Sequence, residues 1–77
     1  MKGRTMYTGY YFSEKHVYGP QGYTRFYASE GHIYGPSGYT HFYMNEEGHF
    51  YGPQGYSQFY VSEGHIYGPS NALPWSE

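Results

Sequence analysis

The chain has 77 residues, a formal net charge of −2, no cysteine, 13 tyrosines and 25% aromatic residues. That length allows one domain, and a domain so small buries only about 60% of its unfolded surface. Disulfide staples and thiolate metal sites are excluded.

The large aliphatics are Val17, Ile33, Val61, Ile66 and Leu73. Such scarcity raises the question of disorder, but disorder by composition also needs high net charge and few aromatics. Neither holds, so aromatic rings must supply the packing. The cations Lys2, Arg4, Lys15 and Arg25 are scattered. Phosphate binding depends on clustered cations, so nucleic acid is not an expected partner. No apolar run approaches the roughly 20 residues of a membrane helix, and no signal sequence is visible. The expectation is therefore no membrane insertion and a cytoplasmic location by default. If all 5 histidines protonate, the formal charge moves from −2 to about +3 below pH ~6.

In chain order, residues 1–6 read as a lead-in and 7–71 as one domain. Tyr-Gly-Pro recurs at Tyr18, Tyr34, Tyr51 and Tyr67, dividing that domain into units 7–22, 23–38, 39–55 and 56–71. Residues 72–77, with Leu73, Pro74 and Trp75, read as a tail or cap. Each unit predicts a β-hairpin. An aromatic run such as Tyr23–Ala28 leads to Ser29-Glu30-Gly31 and then His32-Ile33-Tyr34. Ser-Glu-Gly suits a type I turn closed by a glycine with positive φ, a three-residue loop. Lys15 replaces that glycine in the first unit and predicts strain there. The third unit carries one extra residue, in Asn45-Glu46-Glu47-Gly48, as a surface loop does. Gly-Pro-Ser-Gly or Gly-Pro-Gln-Gly reverses the chain between units, with proline outside the ladder.

Alternation gives each first strand two sides. One carries Tyr7/Tyr11, Tyr23/Tyr27, Tyr39/Tyr43 and Tyr56/Tyr60, with Gly9, Arg25, His41 and Gln58 at their centres. The other carries Tyr10/Phe12, Phe26/Ala28, Phe42/Met44 and Phe59/Val61, and is the better core candidate. The turn register decides which side Val17, Ile33, Phe50 and Ile66 join. The fold class is all-β: four tandem hairpins in an antiparallel meander or solenoid-like array. A small closed barrel is the alternative. Near-identical loops favour the array, whose open edges need caps or self-association.

The segments Phe26-Tyr27-x-Ser29-Glu30-Gly31-x-Ile33 and Phe59-Tyr60-x-Ser62-Glu63-Gly64-x-Ile66 resemble the aromatic hairpin repeats of choline-binding and clostridial-toxin cell-surface-binding modules. Gly22-Tyr23, Gly38-Tyr39 and Gly55-Tyr56 supply the Gly-aromatic step. The Gly- and Tyr-rich units are also similar to MORN-type repeats. The first likeness implies a stacked-hairpin array that binds a cell-surface ligand.

Four histidines recur at His16, His32, His49 and His65. In a simple meander equivalent residues lie about 9–10 Å apart, too far for one zinc ion, so no metal site and no cofactor is expected. Repeated Glu14, Glu30, Glu47 and Glu63 sit in turns without the paired geometry of a glycosidase. The repeated serines fit no nucleophile motif, so no catalytic residue and no enzyme activity is expected. The candidate ligand-binding rows are Tyr23-Arg25-Tyr27, Tyr39-His41-Tyr43 and Tyr56-Gln58-Tyr60, where flat rings flank a polar centre. They suit a glycan or another surface ligand, bound with avidity. The alternative is a structural or assembly protein, a homo-oligomer joined through the same face, with histidines adding pH sensitivity.

Overall fold

The computed structural model describes residues 5–75. The lead-in expected over 1–6 falls outside this range at 1–4, and the tail expected over 72–77 does so at 76–77. Eight strands follow in chain order: β1 (Met6–Ser13), β2 (His16–Gly19), β3 (Gly22–Ser29), β4 (His32–Gly35), β5 (Gly38–Met44), β6 (His49–Gly52), β7 (Gly55–Ser62) and β8 (His65–Gly68). Each pairs antiparallel with the next, and β8 pairs with β1, so the sheet closes into a barrel.

Closure corrects the expected open array. Among the described residues no strand is left at an open edge, because Met6 faces Gly68 and Tyr7 faces Tyr67 across the β1–β8 seam. Near-identical loops do not argue for an array, since a closed meander repeats its surroundings equally well. The likeness to choline-binding, clostridial-toxin and MORN-type modules is corrected with it: the four sequence units form one closed sheet, not a tandem-repeat stack. The exclusion of membrane insertion, and the cytoplasmic default drawn from it, are also corrected. Both rested on the lack of an apolar run, a criterion for helices. A closed eight-stranded barrel belongs to an architecture that can cross membranes by strands.

The curvature comes from four equivalent bulges. Val17 faces Phe26 while Tyr18 faces Tyr23, so Thr24 and Arg25 are extra residues on β3. Arg25, His41 and Gln58 adopt φ of 74–76°, and Gly9 91°. Bulges bend the strand and increase its twist. Two extra residues rather than one preserve parity, so the inward and outward sides stay as alternation predicts. Each bulge is pinned by a hydroxyl. Thr24 Oγ1 donates to the Val17 carbonyl at 2.7 Å and accepts the Phe26 N–H at 3.2 Å. Thr40 and Ser57 repeat this bridge, and buried Thr8 makes it to the Ile66 carbonyl across the seam at 2.8 Å. The seam, which no turn connects, therefore carries the same bonding as the covalently linked edges.

The hairpin turns differ from the expected three-residue loop. Ser29 faces His32, leaving Glu30 and Gly31 at φ 53° and 86°, the two-residue type I′ turn that matches strand twist. Glu14-Lys15 and Glu63-Gly64 do the same, so Lys15 holds φ 76° without being glycine. Only the third hairpin has the longer loop. There Asn45 donates its N–H to the His49 carbonyl, and its side-chain oxygen accepts the N–H groups of Glu47 and His49.

All five large aliphatics lie inside. Val17, Ile33, Phe50 and Ile66 are fully buried and form the middle of the core. Phe12, Ala28, Met44 and Val61 flank them towards the hairpin turns; Tyr10, Phe26, Phe42 and Phe59 do so towards the Gly-Pro turns. The filling departs from fourfold symmetry. Phe12 stacks on Phe50 at 6.2 Å, large residues of the first and third units, while Ala28 leaves room in the second. The Phe26 ring lies over Gly35, where an added Cβ would come within 2.5 Å of it.

Candidate functional site

Closing the sheet gathers the outward tyrosines into one surface. Within each hairpin a pair stacks across the strands: Tyr11 on Tyr18, Tyr27 on Tyr34, Tyr43 on Tyr51 and Tyr60 on Tyr67, at 5.5–5.7 Å and 14–17°. Between hairpins, Tyr18–Tyr23, Tyr34–Tyr39 and Tyr51–Tyr56 lie tilted at 5.3–5.4 Å. Tyr67–Tyr7 repeats the contact across the seam at 5.5 Å. These contacts alternate around the barrel.

The histidines complete the circuit. His16 meets Tyr23 edge-on at 5.5 Å and Tyr27 at 6.4 Å. His32 bridges Tyr39 and Tyr43, His49 bridges Tyr56 and Tyr60, and His65 bridges Tyr7 and Tyr11. Tyr23 thus passes through His16 to Tyr27, and onward until the path returns to Tyr11. The outcome is an unbroken aromatic belt. Cross-strand aromatic pairs of this kind contribute about 0.5–1.5 kcal/mol each beyond their burial.

The rows expected to bind a ligand all face outward. Tyr23, Tyr27, Tyr39, Tyr43 and Tyr56 are exposed, at 37–46%; Tyr60 is half-buried. Arg25, His41 and Gln58 are exposed as well, each at the crest of its bulge, and His41 lies 5.1 Å from Tyr39. The structure brings these residues onto one belt rather than onto three separate rows. It also adds members that row-by-row reading missed: Tyr7, Tyr11, the column Tyr18, Tyr34, Tyr51 and Tyr67, and the four histidines. Their strict recurrence was the available signal. It needed closure to become a circuit.

Partial burial is the largest cause that lifts the Tyr56 phenol above its ordinary value, followed by repulsion from Tyr51 and Tyr60 when they ionise. Glu47 lies 3.8 Å from His49 Nδ1, the carboxylate largely in water and the imidazole half-buried, a pairing of little energetic weight. Among the described residues no three His or acidic side chains converge on one point. The histidines are spread around the circumference, each held between its own two tyrosines.

Comparison with protein-family models, with curated proteins and with solved structures finds no match to this chain. The likeness to choline-binding and clostridial-toxin modules therefore has no support from relatives, just as the closed barrel gives it none from architecture.

Proposed function

We propose that the protein is a non-catalytic assembly module whose copies associate through the outer aromatic belt, and that acidification weakens the contact through the belt histidines. The observation that carries this reading is the continuous outward circuit of exposed and half-buried tyrosines and histidines. Large exposed aromatic patches are uncommon on monomers, and tyrosine is enriched where proteins meet. A closed sheet has no free edge, so copies must join by side chains rather than by strand pairing.

One feature favours a second copy over a sugar. A sugar ring packs on an open aromatic face, and eight of the twelve belt tyrosines already have one face covered by a stacked partner. Acid would place positive charge on His16, His32, His49 and His65 in every copy at the contact. Among the described residues His49 alone has a carboxylate within 4.0 Å, that of Glu47, while Glu14, Glu30, Glu63 and Lys15 sit in the adjoining turns, so the added charges repel across the interface.

Sedimentation velocity between pH 5 and 7.5 tests the proposal. Assemblies at pH 7.5 that shrink at pH 5 are expected. A single-copy mass at every pH, joined by binding to glycan arrays or to lipid vesicles, would instead assign the belt to those ligands.

A further inference from the structure

The end of the barrel at the Gly-Pro turns is closed by the chain's own tail. After β8, residues Pro69 to Ala72 are exposed and outside the sheet. Leu73 is then buried at 3%, and the Trp75 indole meets Phe50, Phe26 and Phe42 at 5.2, 5.8 and 6.0 Å. The barrel ladder closes without this segment, because its last seam pair is Met6 with Gly68. The buried Trp75 Nε1–H has no acceptor among the described residues, a cost that a well-adapted core position avoids. Beside the tail runs a groove of about 500 Å³ bounded by Phe42, Pro53, Tyr56, Phe59, Leu73 and Pro74. The equivalent place at the first Gly-Pro turn, about 380 Å³, is bounded by Tyr10, Pro20 and Tyr23 without tail residues.

We propose that this mouth is a binding site for a Leu-Pro-Trp segment, filled in cis by the chain's own tail and in trans by the tail of a second copy. The tail behaves as a ligand on a tether. It is joined through an exposed hinge, it anchors by one indole among phenylalanine edges, and its N–H remains unpaired. When it leaves, Phe26, Phe42 and Phe50 lose their cover and favour any equivalent segment that arrives. Exchange between copies preserves every contact, as in domain swapping. The site lies at the barrel mouth and meets the belt at Tyr56.

The test uses the full-length Trp75→Ala variant and a synthetic peptide spanning residues 70–77. Trp75 is the single tryptophan of the chain, so in the mixture all indole emission comes from the peptide. A saturable blue shift of that emission and a higher melting temperature of the variant are expected. Wild-type protein, its mouth occupied, should gain far less in melting temperature from the same peptide. A peptide with alanine in place of tryptophan should leave the melting temperature of the variant unchanged. Unshifted emission with a folded variant overturns the proposal. If W75A does not fold alone, peptide present during refolding must restore the barrel, and failure to do so overturns the proposal equally.

Discussion

The inside and the outside of this barrel are both built from aromatic rings, yet the two are organised differently. Inside, phenylalanines interlock with five aliphatics around residues of zero exposure, and the units differ in size so that the centre fills once. Outside, tyrosines and histidines repeat the same contacts four times with no size variation. The interior is a jigsaw with one solution, whereas the belt is a periodic surface that could meet another like itself. The hydroxyl draws the distinction. A phenol tolerates water on one edge while its ring packs on a neighbour.

Changes inside should therefore be severe, and those outside mild for stability. Phe50→Ala removes the largest fully buried side chain and should cost about 3–5 kcal/mol. Stability for 77 residues is roughly 4–12 kcal/mol in total, so urea unfolding should show a barrel near collapse. Gly35→Ala sets a methyl 2.5 Å from the Phe26 ring. Overpacking of about 1–3 kcal/mol is expected, and Phe26→Leu in the same chain should recover part of it. A simple additive loss in the double variant would show that the ring does not constrain the glycine.

At the boundary between the two layers, Thr24→Val strips the hydroxyl from a bulge and leaves the Phe26 N–H and the Val17 carbonyl unpaired there. The expected loss is about 1–3 kcal/mol, with faster amide exchange at Phe26. A neutral substitution would mean that the bulge holds its shape without the bridge. Lys15→Gly acts in the other direction. It relieves a non-glycine residue at φ 76° and should stabilise by about 1 kcal/mol, seen as a higher denaturation midpoint. The smallest effect belongs to the belt alone. Because the Tyr56 phenol is held above its ordinary 10.0, the folded state binds that proton more tightly than the unfolded chain. Its contribution is fully present below pH 10 and disappears as pH rises through the folded value. Alkaline titration should weaken the protein, and Tyr56→Phe should reduce that dependence.

Much of the layering was legible from alternation. The Phe26/Ala28 and Tyr23/Tyr27 sides separate by period two, and the bulge leaves that parity intact because it inserts two residues. Closure was not legible. It depends on curvature, and the curvature sits at Arg25, His41 and Gln58, whose positive φ has no signature in a polar side chain. Gly9 at the equivalent position was the one visible trace. The recurring Thr8, Thr24, Thr40 and Ser57 could be read as a column, but their bridging role required knowing that the ladder skips there. The turn length differs from the three-residue expectation because Ser-Glu-Gly fits two turn families. The third unit, with its added residue, takes the three-residue form that the others do not. For the candidate site, the tyrosine columns were visible and the circuit was not, since Tyr67 meets Tyr7 only when the ends of the sheet join.

The claim that the belt joins copies is tested most directly by measuring tyrosine accessibility and solution mass together, above and below the concentration at which association begins. The account predicts a multiple of the 9.0 kDa chain mass, with Tyr23, Tyr39 and Tyr56 protected when concentrated and reactive when dilute. A single-chain mass with unchanged tyrosine reactivity across that range would contradict it.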